Sequence, residues 1–499
     1  MKYFSSRNKN EFFDSSYAIA NGIAKDGGLF ICSEFPFVSK EEIKEMISLE
    51  YYEIALLILK RFLTDFDEIF LKDCLKKVYS VDRFSSDSKI VDVVELDEDV
   101  SILELWHGKT FAFKDMALQL LPHILVKAVE KEKKGKEILI LTATSGDTGK
   151  AALEGFKDVK GTKVFVFYPL DGVSKIQKMS MTTQEGENVF VCGVNGNFDD
   201  AQTEIKNILT DKKFKEILNK NNIVVSSANS INWARLVSQI VYYFYAYCKM
   251  VENGSIKFGE KINVVVPTGN FGNILACYYA KKMGLFIGDI ICATNKNSVV
   301  CDFINTGSYD KNREFFKTIS PSMDILVSSN LERLIFDLCG DDREVVKIYK
   351  EFNEKGKFKL NEECFKRLKE NFLADCCDEE ETKKTIFEVF NKYSYLLDTH
   401  TAVAFYVYEK YKNRNRNNFK TLIVSTAFAF KFPQDVLKSL GEIGSFSLEE
   451  SLEKLSNKTK VKVPNFFKNL SLKPTRFEKS IEKDFMKEII LKELKIKMS

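Results

Sequence analysis

Apolar residues recur at three- and four-residue spacing through SKEEIKEMISLEYYEIALLILKRFL (39–63), the pattern of an amphipathic helix, and its opening Ser39 and Glu42 fit a capping box. Beyond residue 100 the pattern changes to continuous apolar runs, each followed by a polar or glycine-bearing turn. EILILTAT (137–144), KVFVFYP (163–169), NVFVCGV (188–194), INVVVPT (262–268), DIICATN (289–295) and TLIVSTA (421–427) are such runs. Helical stretches separate them: AALEGF after the first, 199–218 after the third, NILACYYAKKMGL after the fourth. Runs that are apolar at every position fit strands buried on both faces. The pattern therefore predicts an α/β architecture with mostly parallel sheets covered by helices.

The same texture divides the chain. Residues 1–100 read as a mainly helical N-terminal region, and 101–340 as an α/β core of two subdomains. Residues 341–395, rich in Lys and Glu, read as a helical insertion; 396–499 return to the core and end in a helical tail. That tail carries SNKTKVKVPNFFKNLSLKP, readable as a solvated surface or as a site for an acidic partner. The Glu and Asp interspersed nearby favour solvent.

Composition narrows the function classes. Of 499 residues, 74 are Lys or Arg and 71 Asp or Glu, a net charge of +3 that demands neither nucleic acid nor an anionic membrane. No apolar run approaches the roughly 20 residues of a membrane span, and MKYFSSRNKNEFF lacks a signal-peptide core. The 11 cysteines show no C-x-x-C spacing and, beside only 3 histidines, make a zinc site unexpected. The expectation is a reduced, cytoplasmic protein without a metal. Monomer and homodimer both remain open.

Three segments carry chemistry. GNFGN (269–273) stands between a strand and a helix, where glycine admits a close approach and the helix start presents free N–H groups to an anion. A tight packing turn is the alternative. The segment is neither G-x-G-x-x-G nor a Walker A loop, so a bound phosphate would belong to something other than a dinucleotide or nucleoside triphosphate. SGDTG (145–149) occupies a second strand-to-helix turn and reads either as an ordinary N-cap or as a second anion cradle. In HGKTFAFKD (107–115), Lys114 stands among aromatic and apolar residues. Such a lysine is commonly a snorkelling surface residue, but desolvation would lower its pKa and make the amine a nucleophile towards carbonyls.

Together these segments resemble the threonine synthase family, pyridoxal-phosphate (PLP) enzymes of fold type II. The resemblance rests on HGKTFAFKD, ATSGDTG (143–149), PTGNFGN (267–273), NSINWAR (229–235), DTHTAV (398–403), STAFAFKFP (425–433) and the N-terminal YFSSR…NGIAKDGGLF (3–30). It implies two α/β domains with mostly parallel sheets, a helical N-terminal region and a helical insertion. It also implies PLP as cofactor, with Lys114 as the residue that forms the imine with it. Gly269, Asn270, Phe271, Gly272 and Asn273 would cradle the cofactor phosphate, and Thr426 would hydrogen-bond the pyridine nitrogen. Ser145, Asp147 and Thr148 would lie by the substrate carboxylate and the cofactor ring oxygen. Asn229, Ser230, Asn232, Arg235 and Lys431 would serve the substrate phosphate.

The chain departs from the family pattern at Lys109, where a proline is usual, and at Phe428 and Ala429, where His and Pro are usual. The activity the resemblance implies is conversion of O-phospho-L-homoserine and water to L-threonine and phosphate. A related phospho-lyase outcome, 2-oxobutyrate and ammonia, is the alternative. A non-catalytic protein on the same scaffold is disfavoured by the intact Lys114, and a dehydrogenase by the missing dinucleotide fingerprint.

Overall fold

The computed structural model describes residues 1–84, 89–133, 135–170, 172–414 and 417–496. Two sheets organise it. The larger has six strands in the order Phe372–Cys376, Ile287–Thr294, Ile262–Pro267, Thr421–Ser425, Val100–Glu104, Asp92–Glu95, all parallel except the last pair. The second has five parallel strands in the order Ser480–Glu482, Val189–Asn195, Thr162–Pro169, Glu137–Ala143, Ile223–Ser227. Each apolar run named above forms one of these strands, with ends shifted by a residue or two.

The reason for continuous apolar runs is visible in the large sheet. Successive side chains point to opposite faces, and each face meets its own core. Val100, Ile102, Val265, Ile291 and Ile423 lie in one apolar cluster, whereas Leu103, Val264, Val266, Ile290, Leu422 and Val424 lie in the other. Helix Thr399–Arg414 packs on the first face. Helices Trp233–Glu252 and Gly272–Lys282 cover the second.

Several local expectations need correction. The 39–63 helix starts at the predicted capping box of Ser39 and Glu42, but breaks at Leu49 and Glu50. Glu50 is extended there and caps a second helix, Tyr51–Phe62, through a capping box with Glu53. The 199–218 helix is likewise two, Phe198–Thr210 and Lys212–Lys220, because the Asp211 side chain accepts the Phe214 N–H and starts the second. The N-terminal region adds a three-stranded antiparallel sheet to its helices.

The 341–395 stretch is not wholly helical. Its Phe372–Cys376 segment is an edge strand of the large sheet, paired in parallel with Ile290–Thr294. The tail, too, contributes a strand, Ser480–Glu482, which extends the second sheet beside Gly193–Asn195. On the way, Phe467 and Leu470 are buried in the core of the large domain, and the Arg476 N–H donates to Thr182 O at 2.8 Å. The tail thus straps one sheet domain to the other.

Candidate active site

The loops leaving the carboxyl ends of strands Glu137–Ala143, Ile223–Ser227, Ile262–Pro267 and Thr421–Ser425 line a common cleft, the position where parallel α/β sheets bind ligands. Lys114 enters from the segment after Val100–Glu104. Its loop is zipped to the Thr426 loop. The Phe113 N–H donates to Thr426 O at 2.9 Å, Ala112 bridges Ala427, and the Phe428 N–H donates to Phe111 O at 3.1 Å. Asp115 braces the loop from below, accepting the Thr110 N–H at 2.7 Å and the Thr110 hydroxyl at 2.8 Å.

Helix Asp147–Phe156 brings SGDTG to the cleft, and the Thr144 side chain, not Ser145, is its cap. Thr144 Oγ1 accepts the N–H of Gly146 at 2.9 Å and of Gly149 at 2.8 Å. Ser145 and Thr148 are therefore left on the cleft wall. The helix can lie this close to the lysine loop because Gly155 has no side chain: a Cβ there would stand 2.1 Å from Leu118 O. We expect Gly155→Ala to lower stability by about 1–3 kcal/mol, the usual overpacking range, measured by denaturant unfolding.

Asp147 is the electrostatic hub. Its Oδ2 accepts from Lys114 Nζ at 3.2 Å and from Ser322 Oγ at 3.1 Å; its Oδ1 meets Lys431 Nζ at 2.7 Å and Gln177 Nε2 at 2.9 Å. Burial disfavours the ionised carboxylate, yet the Lys114 and Lys431 ammonium groups outweigh it and hold the carboxyl well below its ordinary range. Burial lowers the Lys114 pKa, with Lys431 and Arg235 adding repulsion and Asp147 opposing them. A lowered pKa makes the neutral, nucleophilic amine easier to reach.

The opposite wall suits a phosphate. Backbone carbonyls of the Gly269–Asn270 turn are drawn away: Gly269 O accepts from Ser328 Oγ at 2.8 Å, and Asn270 O from the Asn330 N–H at 3.1 Å. Helix Gly272–Lys282 starts there, and its first N–H groups have no partner within the helix. Phe271 takes a left-handed conformation (φ 62°) with its ring buried against Phe372. Asn273 adds a side-chain donor. Its Oδ1 accepts the hydroxyls of Tyr242 and Tyr243, each at 2.6 Å, which fixes the amide and leaves Nδ2 buried without a partner. Arg235 lies on the same wall with Nη1 donating to Ala228 O at 2.7 Å and Nε buried without a partner. No carboxylate pairs with it among the described residues, and burial lowers its pKa to about 10.

Two expected ligand contacts need correction. Asn232 does not line the cleft: its Oδ1 accepts the Ala234 N–H at 3.0 Å, and its Nδ2 donates to Ile19 O and Ser227 O. It caps a helix and pins the N-terminal region. Lys431 is committed to Asp147 and to Thr110 O, at 2.9 Å, so it stands behind the cleft wall. Asn229 faces the cleft, but its amide brackets Ala143, accepting its N–H at 3.1 Å and donating to its O at 2.8 Å. Ser230 and Thr426 also line the cleft. Phe428 lies outside it, packed on Trp106 at 4.7 Å and Phe430 at 5.3 Å between ring centroids.

Two wall residues had no expected role. His400 Nε2 accepts the Ser322 N–H at 3.1 Å, so its Nδ1 carries the proton and faces Asp398 Oδ1 at 3.1 Å. Ser322 in turn reaches Asp147 and lies 3.5 Å from Lys114 Nζ. DTHTAV marks the histidine in the sequence; nothing local marks Ser322.

A buried lysine, two converging helix starts and unpaired donors turned towards one cleft suit an anionic carbonyl cofactor. The family described as "Pyridoxal-phosphate dependent enzyme" matches residues 93–356, and "Threonine synthase N terminus" matches 2–79. Threonine synthase of Saccharomyces cerevisiae is 37% identical over 469 residues, covering 88% of this chain and 90% of that one. A crystal structure of threonine synthase from yeast superposes with a TM-score of 0.86 at 34% identity over 99% of both chains. PLP-bound threonine synthase from Brucella melitensis gives 0.84 at 32%, over 98% of both. Human "Threonine synthase-like 1" is 39% identical over 436 residues, and the match spans 85% of this chain but only 58% of that protein.

The chain is a fold-type-II, PLP-dependent enzyme. Within that class it belongs to the threonine synthase family, and pyridoxal phosphate is its cofactor.

Proposed function

We propose that the chain converts O-phospho-L-homoserine and water to L-threonine and phosphate. The observation that carries this reading is Arg235: a buried guanidinium without a carboxylate partner, facing the cleft that Lys114 enters. A substrate with its own phosphate supplies the missing anion. The cofactor, when bound, supplies an electron sink for negative charge at the substrate carbons.

The chain's residues do the rest. The Gly269–Asn273 turn and Asn273 Nδ2 would hold the cofactor phosphate, and the Thr426 hydroxyl would serve its ring nitrogen. Ser145 and Thr148, at a helix start, receive the substrate carboxylate; Arg235, Ser230 and Asn229 face its phosphate. Lys114 Nζ moves protons at the substrate carbons while Asp147 holds it in place. Asp147, an ionised carboxylate, orients the lysine and does not bind an anion. Eleven free cysteines support a reducing, cytoplasmic setting.

Incubation of the PLP-loaded protein with O-phosphohomoserine tests the reading: threonine and phosphate are expected, and 2-oxobutyrate with ammonia would assign the lyase outcome instead. Arg235→Ala is expected to lower kcat/KM about ten- to hundredfold, mostly through KM, as loss of a charge-assisted hydrogen bond does. Unchanged PLP affinity in that variant places Arg235 on the substrate; a parallel loss of PLP assigns it to the cofactor phosphate.

A further inference from the structure

A second cavity, of about 730 Å³, lies outside the active site between the tail strap and helix Asp147–Phe156. Its volume is that of a small-molecule site. Five lysines from three segments line it: Lys109 of the lysine loop, Lys150 and Lys157 of the helix and its cap, and Lys462 and Lys473 of the strap. Three acidic residues stand among them. Glu154 is paired with Lys150 at 3.2 Å, and Glu185 with both Lys157 at 2.9 Å and Lys473 at 3.0 Å. Asp82 is the third. Lys109 and Lys462 make no ion pair among the described residues, so the cavity keeps an excess of positive charge.

The floor is apolar. Phe111 lies 5.7 Å from Phe466 and 4.9 Å from Phe467 between ring centroids, and Lys150 Nζ sits 5.5 Å from the Phe466 ring centre. Lys150 is only 7% exposed, so one of the cations is already desolvated. Phe111 is also the start of the zipper that holds Lys114 beside Thr426, so this floor is continuous with the lysine loop. The Lys-rich tail segment thus keeps its lysines exposed, as a solvated surface does, while Phe467 and Leu470 anchor it and Lys462 and Lys473 line the cavity.

We propose that this cavity binds a phosphate-bearing small molecule, its anionic group met by Lys109 and Lys462, the two exposed lysines of the lining that carry no ion pair among the described residues. Pyrophosphate is the probe, titrated calorimetrically into the PLP-loaded protein in parallel with four variants. The wild-type protein is expected to bind it. Lys109→Glu/Lys462→Glu is expected to weaken binding about tenfold or more, while its melting temperature and its rate of phosphate release from O-phosphohomoserine stay near wild type, since neither lysine touches the active-site cleft. Arg235→Ala is expected to leave pyrophosphate binding intact. No heat of binding, or equal affinity in the charge-reversed variant, overturns the proposal. Loss of binding in Arg235→Ala instead also overturns it, because the probe then sits in the active site. The single variants Lys109→Gln and Lys462→Gln are each expected to weaken binding less than the double reversal, and they stand in if the reversed protein fails to fold. None of these outcomes depends on which product the enzyme forms.

Discussion

Lys114→Ala is expected to abolish threonine formation while leaving the protein folded. Among the described residues Lys114 is the one lysine that lines the active-site cleft, hydrogen-bonded to Asp147 and Ser322, whereas Lys431 stands behind the wall and donates to Thr110 O. Removing it deletes both the attachment point for the cofactor aldehyde and the group that moves protons at the substrate. Proton transfer alone is worth about 10²–10⁴-fold in rate. Asp147 keeps Lys431 as a counter-ion in the variant, so the cleft does not acquire an uncompensated buried charge. Borohydride treatment of the wild-type protein should fix PLP covalently, and the same treatment of Lys114→Ala should leave it removable by dialysis. Wild-type turnover in the variant would end the assignment.

How far the site could be read beforehand follows the geometry of the contacts. Lys114, Ser145, Thr148 and the Gly269–Asn273 turn lie in contiguous segments at strand-to-helix joints. There position is set by the local backbone, and local sequence is enough to place them on the cleft. Asn232 and Lys431 lie in motifs of the same kind, but the choice between ligand and protein partner is made by residues distant in sequence: Ile19 and Ser227 for one, Asp147 and Thr110 for the other. Ser322 and Gln177 reach Asp147 from elements with no signature of their own, so no pattern along the chain announces them.

The fold shows the same division. Double-faced burial writes itself into the sequence as unbroken apolar runs, and strands such as Ile262–Pro267 are found from it. The edge strand Phe372–Cys376 is hidden because only Phe372 is buried in it, so FLADC carries no apolar run beside the Lys- and Glu-rich helices. The helix break at Asp211 is hidden for another reason. Its flanks are good helix formers, and the capping bond to Phe214 competes with continuation by about 1 kcal/mol, too little to alter the apolar period.

Gly272→Asp is expected to weaken PLP binding about 10³-fold, and the effect is electrostatic. Gly272 is the first residue of helix Gly272–Lys282, where the helix start favours an anion. A Cβ at this position would meet only ordinary contacts, 3.4 Å from Asn330 Nδ2 and 3.7 Å from Gln239 Nε2, so the backbone accepts a side chain without collision. The added carboxylate would take up the same N–H groups that serve the cofactor phosphate and would repel that phosphate. Two unit charges about 4 Å apart at an effective dielectric near 20 repel by about 4 kcal/mol, equivalent to about three decades in affinity. The neutral isostere separates charge from volume: Gly272→Asn should lose far less affinity than Gly272→Asp, and the difference should shrink as ionic strength rises. Fluorescence titration of the apoprotein with PLP measures both variants. Equal affinities for the aspartate variant and the wild type would reduce the GNFGN segment to a packing turn and move the cofactor phosphate to the Ser145–Thr148 wall.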